Sequence, residues 1–322
     1  MICCFQNTLK KFLLHPLLTL FIVTSVTAKE RPYDVCVYGE TPAGITAALQ
    51  VAKMGRSVVL ISTSKHLGGM ATSGLTATDL NNFRIAGGFT KDFYQRVYAH
   101  YLDSAAWKVE GRAEYFERSK KRTYTGKNDS LKIQWVYESG IGEKIFKQML
   151  RDHGVVVIYN ERINLKSTPF KQDGRLKTIS MESGLKIGAK MFIDASYEGD
   201  LMRMAGVSFK VGRESNATYG ETMNGIRMGA VVGNGKTSID PYVIPGNPNS
   251  GLLPFIDAKP AGPNGTGDDR TQTYCYRLTL TNDPANKIDV TKPSQYNPLW
   301  YEFLARVIAL NPDISLSSII SF

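Results

Sequence analysis

With 322 residues, 43% of them hydrophobic and 21% charged, the chain has an ordinary globular composition and enough length for one large domain or two. Its four cysteines, two of them at the extreme N-terminus, are too few for a disulfide framework, and His66, His100 and His153 are too scattered to outline a metal centre. A formal net charge of +10 suits anionic ligands or polyanions.

The first segment is expected to be a targeting signal rather than part of the fold. Lys10 and Lys11 precede an apolar run from Phe12 to Val26, and Val26-Thr27-Ala28 ends it with a small residue at the cut. The run is 15 residues long and interrupted by His15 and Pro16. A membrane span needs roughly 20. Residues 1–28 therefore read as a Sec-type signal peptide, which places the mature chain in the periplasm or outside the cell, free of the membrane. Cleavage removes Cys3 and Cys4, leaves Cys36 and Cys275, and lowers the net charge to about +8. The basic cluster within Arg112–Lys132, which includes Arg118, Lys120, Lys121 and Arg122, reads as a solvated face, because export removes most nucleic-acid partners.

Tyr33 to Gly69 has the order of a dinucleotide-binding βαβ unit: strand, glycine turn, helix, second strand. Val35 to Tyr38 is the apolar, β-branched run expected of a parallel strand buried on both faces. Gly39 allows the tight turn, and Pro42 sits where a first helical turn tolerates a missing N–H. Gly44 and Ala48 lack the bulk that would hold the helix off the strands. The helix N-terminus then points unsatisfied amides at the turn, where a pyrophosphate is their natural partner. Two positions depart from G-x-G-x-x-G. Thr41 takes the middle place, and its hydroxyl could donate to a phosphate oxygen. The acid expected about 20 residues on is missing, since Val58 to Ile61 runs into Ser62. A charged hydrogen bond to ribose contributes about 1.5–3 kcal/mol and a neutral one about 0.5–1.5, so the loss is on the order of tenfold in affinity. Ser62, Ser64 and Lys65 leave open a pocket for the 2′-phosphate of NADP.

The next residues are Ser64-Lys65-His66-Leu67-Gly68-Gly69-Met70. Together with the G-x-T-P-A-G turn, Gly39 to Gly44, they make the chain similar to the secreted FAD-dependent oxidoreductases of the xanthan-lyase-like type. Those proteins share a flavin fold with glutathione reductase and the A subunit of heterodisulfide reductase. The resemblance implies an α/β fold, a Rossmann-like FAD-binding βαβ domain with a β-hairpin insertion, plus a loop-rich substrate-side domain. It implies FAD as cofactor, with Gly39, Thr41, Pro42, Ala43 and Gly44 at the pyrophosphate. Ser62 stands where the family usually has Glu, and Gly68, Gly69 and Met70 pass the pyrophosphate and flavin ring. Iron–sulfur clusters, carried by heterodisulfide reductase relatives, need runs of cysteines that this chain lacks.

Further along, Gly87-Gly88 precede a helix from about Phe89 to Leu102, whose Phe89, Phe93 and Val97 form a core stripe. Ile133–Tyr137, Ile141–Arg151 and Val155–Tyr159 read as strand, helix and strand. This passage resembles the family's extension of the nucleotide sheet, where the backbone near Arg162 and Ile163 would border the adenine. Glu138 is expected to begin the helix, its carboxylate favoured by the dipole. Arg175–Met181 and Leu185–Ile193 flank Glu182-Ser183-Gly184, a hairpin signal. The second strand runs into Ile193-Asp194-Ala195-Ser196-Tyr197-Glu198-Gly199-Asp200, which looks like the family's I-D-A-T-x-x-G-D. By that resemblance Asp194, Ala195, Ser196 and Asp200 approach the pyrophosphate and ribityl chain. Asp200 reads equally as the cap of a helix over Leu201–Ala205.

From Val207 glycine and proline become frequent, and a strand is expected over Thr273–Leu280. The expected division is an FAD-binding domain over 29–206 and a truncated, partial substrate-side domain over 207–322. Arg213, Glu214, Tyr219, Glu221 and Arg277 are candidates for the chemistry, with Arg277 chosen as the catalytic cation near the flavin or an acidic substrate group. The expected activity is hydride transfer between FAD and a small, carbohydrate-related or other organic substrate, with an electron acceptor the sequence does not identify. The alternatives are an NADP-binding Rossmann protein and a truncated, inert flavoprotein fragment, since family members are longer and their C-terminal part closes the flavin site.

Overall fold

The computed structural model describes residues 32–75, 78, 83–120, 126–227, 239–271, 280–281 and 283–315. The expected signal peptide, Lys121, Arg122, Cys275 and Arg277 lie outside the described residues, as does nearly all of the strand expected over 273–280.

The first unit forms as its pattern dictates: β1 (Tyr33–Tyr38), α1 (Pro42–Lys53) and β2 (Val58–Ile61). α2 (Gly88–His100), α3 (Arg112–Lys120), α4 (Ser139–Asp152) and β5 (Val156–Ile158) follow, with a small antiparallel pair, β3 (Lys127–Asn128) and β4 (Ile133–Gln134), between α3 and α4. β6 (Phe170–Gln172), β7 (Arg175–Ser180) and β8 (Lys186–Asp194) complete a six-stranded sheet in the order β5-β2-β1-β8-β7-β6. β5, β2, β1 and β8 run parallel, while β6, β7 and β8 pair antiparallel as the hairpin.

Period-2 alternation divides the core between the two faces of this sheet. Val37 and Leu60 face one layer, where Ile45, Ala48 and Leu49 of α1 meet Phe93 and Val97 of α2 and Ile145, Phe146 and Met149 of α4. Cys36, Tyr38, Val59 and Ile61 face the other, against Ile163, Ile179, Met181, Ile187 and Leu201. Burial pushes the Cys36 thiol up to about 12, as an apolar interior disfavours a thiolate.

One expectation is corrected here. Ile133–Tyr137 does not extend the nucleotide sheet; its strand is Ile133–Gln134, which pairs with Lys127–Asn128. Its apolar residues are there because Ile133, Trp135 and Tyr137 are buried in the α2–α4 layer. The sheet is extended by β5 alone, after α4 has crossed the layer.

Past residue 207 the described chain is mostly turns, with short α5 (Asp200–Met204) leading into it, then α6 (Asn216–Tyr219) and α7 (Leu299–Leu310). The Arg306 guanidinium fastens α7 by donating to the carbonyls of Asp240 and Tyr242, each at 2.8 Å, and to Glu302 one turn before it. Among the described residues no helix is long and apolar enough to cross a membrane.

Candidate functional site

In a sheet of this order the strand connections leave β1 in opposite directions, to β2 through α1 on one side and from β8 on the other. The crevice outside the carboxyl end of β1 is where such sheets bind ligands. The turn there, Gly39-Glu40-Thr41, has the form the glycine pattern predicts. Gly39 has φ +110°, and a Cβ on it would lie 2.6 Å from the backbone of Ala195 and Ser196. A Cβ on Gly44 would lie 1.9 Å from the Gly39 carbonyl oxygen. Only glycines let α1, β1 and the segment after β8 come together here.

Thr41 is the cap of α1. Its Oγ1 accepts from the Gly44 amide at 3.2 Å and donates to the Ala195 carbonyl at 2.7 Å. Its single proton is directed to the protein, which sets it apart from the phosphate-donating role expected from the sequence. Pro42 contributes no N–H, so the leading amide of α1 belongs to Ala43, for which no protein acceptor is found among the described residues. That amide, with the helix dipole behind it, is the anion-seeking element of the crevice.

The three motif segments converge at this point. The Gly68 amide donates to the Glu40 carbonyl at 2.9 Å, and the Ala195 amide to the Tyr38 carbonyl at 2.8 Å. Gly68 and Gly69 have φ +105° and +48°, opening a short 3₁₀ turn over Gly69–Thr72. A Cβ on Gly69 would strike the Tyr197 hydroxyl at 2.3 Å and the Thr41 Cα at 3.3 Å. Tyr197 accepts the Met70 amide at 2.9 Å, so it joins the loop after β8 to the glycine loop after β2. The glycine loop is anchored from α4: the Glu143 carboxylate accepts from the Leu67 amide at 3.2 Å, meets His66 Nδ1 at 3.0 Å and pairs with Lys147 at 2.6 Å. Burial works to raise the Glu143 carboxyl, but Lys147, the Leu67 amide and His66 outweigh it and hold it below its ordinary value.

Other predicted residues hold the loops together. Asp194 accepts from the Ser196 amide and hydroxyl through Oδ1 and from the Met202 amide through Oδ2, at 3.0, 2.7 and 2.8 Å. Asp194 thus satisfies one leading amide of α5, that of Met202; Asp200 is the first residue of α5, after Gly199 in the left-handed conformation. Ser62 is fully buried, and its hydroxyl donates to the Ser64 carbonyl at 2.7 Å. At Arg162 the carbonyl accepts the Glu182 amide, while the neighbouring Ile163 amide donates to the Tyr38 hydroxyl at 3.2 Å. The Arg162 side chain is exposed.

Arg213, Glu214 and Tyr219 do share a cavity, of about 880 Å³, with Asp268. Arg213 is held there by a two-pronged pair with Asp268, whose carboxyl the guanidinium lowers to about 2. Glu221 is outside that lining, and Arg277 is outside the described residues.

One residue at the crevice escaped the sequence reading. The carboxylate of Glu40 reaches across to the end of β2, accepting from the Thr63 amide at 3.0 Å and the Thr63 hydroxyl at 2.7 Å. The contact spans 23 residues and follows no local spacing, so only the folded turn shows it.

Several known proteins are similar to this chain. Vinyl phenol reductase from Lactiplantibacillus plantarum is 31% identical over 125 residues, which cover 36% of this chain and 24% of that protein. Among solved structures, L-proline dehydrogenase from P. horikoshii superposes with a TM-score of 0.36 at 13% identity, over 57% of this chain and 59% of the other. L-amino acid deaminase from Proteus vulgaris does so with a TM-score of 0.36 at 16% identity, over 57% and 52%. The chain thus spans about a quarter of the reductase and somewhat over half of the two solved structures. The model for FAD dependent oxidoreductases matches residues 34–318, from β1 through the glycine turn and the return of β8 to α7 and beyond, and by that match the chain belongs to the FAD-dependent oxidoreductase family.

Proposed function

We propose that this chain holds FAD at the carboxyl end of β1 and works as a flavin-dependent oxidoreductase on a small organic substrate. The observation that carries this is the convergence of the three motif segments at the leading end of α1, through Gly68 to Glu40 at 2.9 Å and Thr41 to Ala195 at 2.7 Å. The cradle suits the cofactor: its glycines leave backbone where a Cβ would intrude, and the Ala43 amide with the helix dipole favours a pyrophosphate.

When bound, the flavin would supply the hydride chemistry. The chain's own residues would bind and orient. Gly39 and Gly44 would let the phosphates approach the backbone, Thr41 would keep α1 joined to β8, and the Gly68–Met70 loop, braced by Glu143, would border the cofactor. The cavity at Arg213, Glu214 and Tyr219 is the proposed substrate side, with Arg277 proposed as the cation for an acidic substrate group. An electron acceptor of unknown identity completes the turnover. Similarity to secreted, xanthan-lyase-like oxidoreductases and the N-terminal signal-like segment support an exported protein acting on carbohydrate-related material.

The test is direct. Protein reconstituted with FAD and freed of excess should carry the flavin absorbance in stoichiometric amount, and Gly44→Val should not. Wild-type protein that is folded by circular dichroism yet retains no flavin would refute the proposal.

A further inference from the structure

The geometry points to Glu40 as the residue that binds the adenosine ribose, replacing from the first turn the acid that Ser62 leaves missing at the end of β2. This rests on the FAD reading above and adds a selectivity to it. Four observations carry it. The carboxylate lies at the carboxyl tip of β2, where both oxygens are positioned by Thr63, at 3.0 Å from its amide and 2.7 Å from its hydroxyl. The backbone of Glu40 is fixed by the Gly68 amide, so the side chain leaves from a rigid point. Half of its lone pairs remain after the two Thr63 bonds, because the nearest other donor, the Ser64 hydroxyl, is 3.4 Å from Glu40 but 3.1 Å from the His66 carbonyl. Finally, Glu40 is half-buried and forms no ion pair among the described residues, so no cation of the protein neutralises its charge.

Ser62 cannot serve instead. It is sealed in the core, its hydroxyl given to Ser64 and its backbone joined to Ile158 and Glu161. The 2′-phosphate pocket that Ser62, Ser64 and Lys65 suggested is thereby disfavoured, since a phosphate there would meet the Glu40 carboxylate. A carboxylate with free lone pairs accepts from the two hydroxyls of an unmodified ribose and repels a 2′-phosphate.

Calorimetric titrations of the full chain with ADP, 2′,3′-dideoxy-ADP and 2′,5′-ADP (adenosine 2′,5′-bisphosphate) test this without relying on turnover. Wild-type protein should bind ADP about tenfold more tightly than the dideoxy analogue and should bind the 2′-phosphorylated nucleotide least. Glu40→Gln, which keeps an acceptor for the Thr63 amide, should lose that tenfold for ADP, leave the dideoxy analogue within about twofold, and narrow the rejection of the 2′-phosphate. Equal weakening of ADP and the dideoxy analogue would mean that Glu40 only braces the turn, and would overturn the inference while FAD binding stands. So would wild-type protein that binds FAD but does not distinguish ADP from the dideoxy form, a comparison that needs no variant. Wild-type protein that binds neither FAD nor ADP would refute the proposed function itself.

Discussion

Replacing Gly44 with alanine isolates the contact on which the cradle depends. In an exposed helix interior the change gains about 1 kcal/mol. Here the added methyl would stand 1.9 Å from the Gly39 carbonyl oxygen, 3.1 Å from its carbon and 3.2 Å from the Ala195 methyl, where ordinary contact begins at 3.4 Å. α1 must move away by more than an ångström-scale adjustment of side chains can absorb, because the obstacle is backbone. Overpacking of this kind costs about 1–3 kcal/mol, and losing the Gly44–Thr41 capping bond adds about 1 kcal/mol. Set against the helix-propensity gain, the net loss is about 1–3 kcal/mol, a fall in melting temperature on the order of 5 °C. Displacing the leading amide from the pyrophosphate should also weaken FAD on the order of tenfold. Thermal melting by circular dichroism and flavin-fluorescence titration measure both. Gly140, on α4 with nothing within 4 Å of its missing Cβ, is the control; Gly140→Ala should be neutral or stabilising. A Gly44→Ala protein that melts with the wild type and binds FAD equally well would refute the close-approach reasoning.

Thr41→Val removes both bonds of the cap hydroxyl and strands the Gly44 amide and Ala195 carbonyl; urea denaturation should show a loss of about 2–4 kcal/mol, largely restored by Thr41→Ser. Glu143 has a folded pKa below its unfolded one, so its contribution is complete above the ordinary carboxylate range and is lost as pH falls through the lowered value. Melting temperature should accordingly drop more steeply in acid for wild type than for Glu143→Gln. Cys36, with its thiol pushed up to about 12 in the core, should escape iodoacetamide in the native protein and react fully in denaturant, as read by peptide mass mapping.

The first βαβ unit was legible because each local signal agreed with the fold: β-branched residues in β1 and β2, Pro42 and Gly44 in the turn, small residues on the inner face of α1. The β7–β8 hairpin was legible from Glu182-Ser183-Gly184 between two apolar runs. Ile133–Tyr137 misled because burial and extension share a composition; its side chains fill the α2–α4 layer from an irregular backbone. β6 gave no pattern, since Phe170, Lys171 and Gln172 are all exposed at the sheet edge. α7 was overlooked, although Glu302 and Arg306 at i, i+4 marked one helical face. At the site, residue types were readable and bonding was not. Nothing in the spacing says that Thr41 gives its proton to a carbonyl 154 positions away, or that Asp194 turns to α5. Glu40 was invisible for the same reason, its partner being brought near only by the return of β2.

The position of β1 also dictates an order of assembly. Its outer edge is covered only by Ala189–Asp194, so a nascent chain that has emerged as far as residue 180 has the glycine turn and α1 but carries an open strand edge in the middle of its future sheet. The cradle cannot close until Ala195 is present to receive Thr41, so on a growing chain flavin capture has to await β8. Chains cut ahead of β8 should clump through that bare edge instead of loading cofactor.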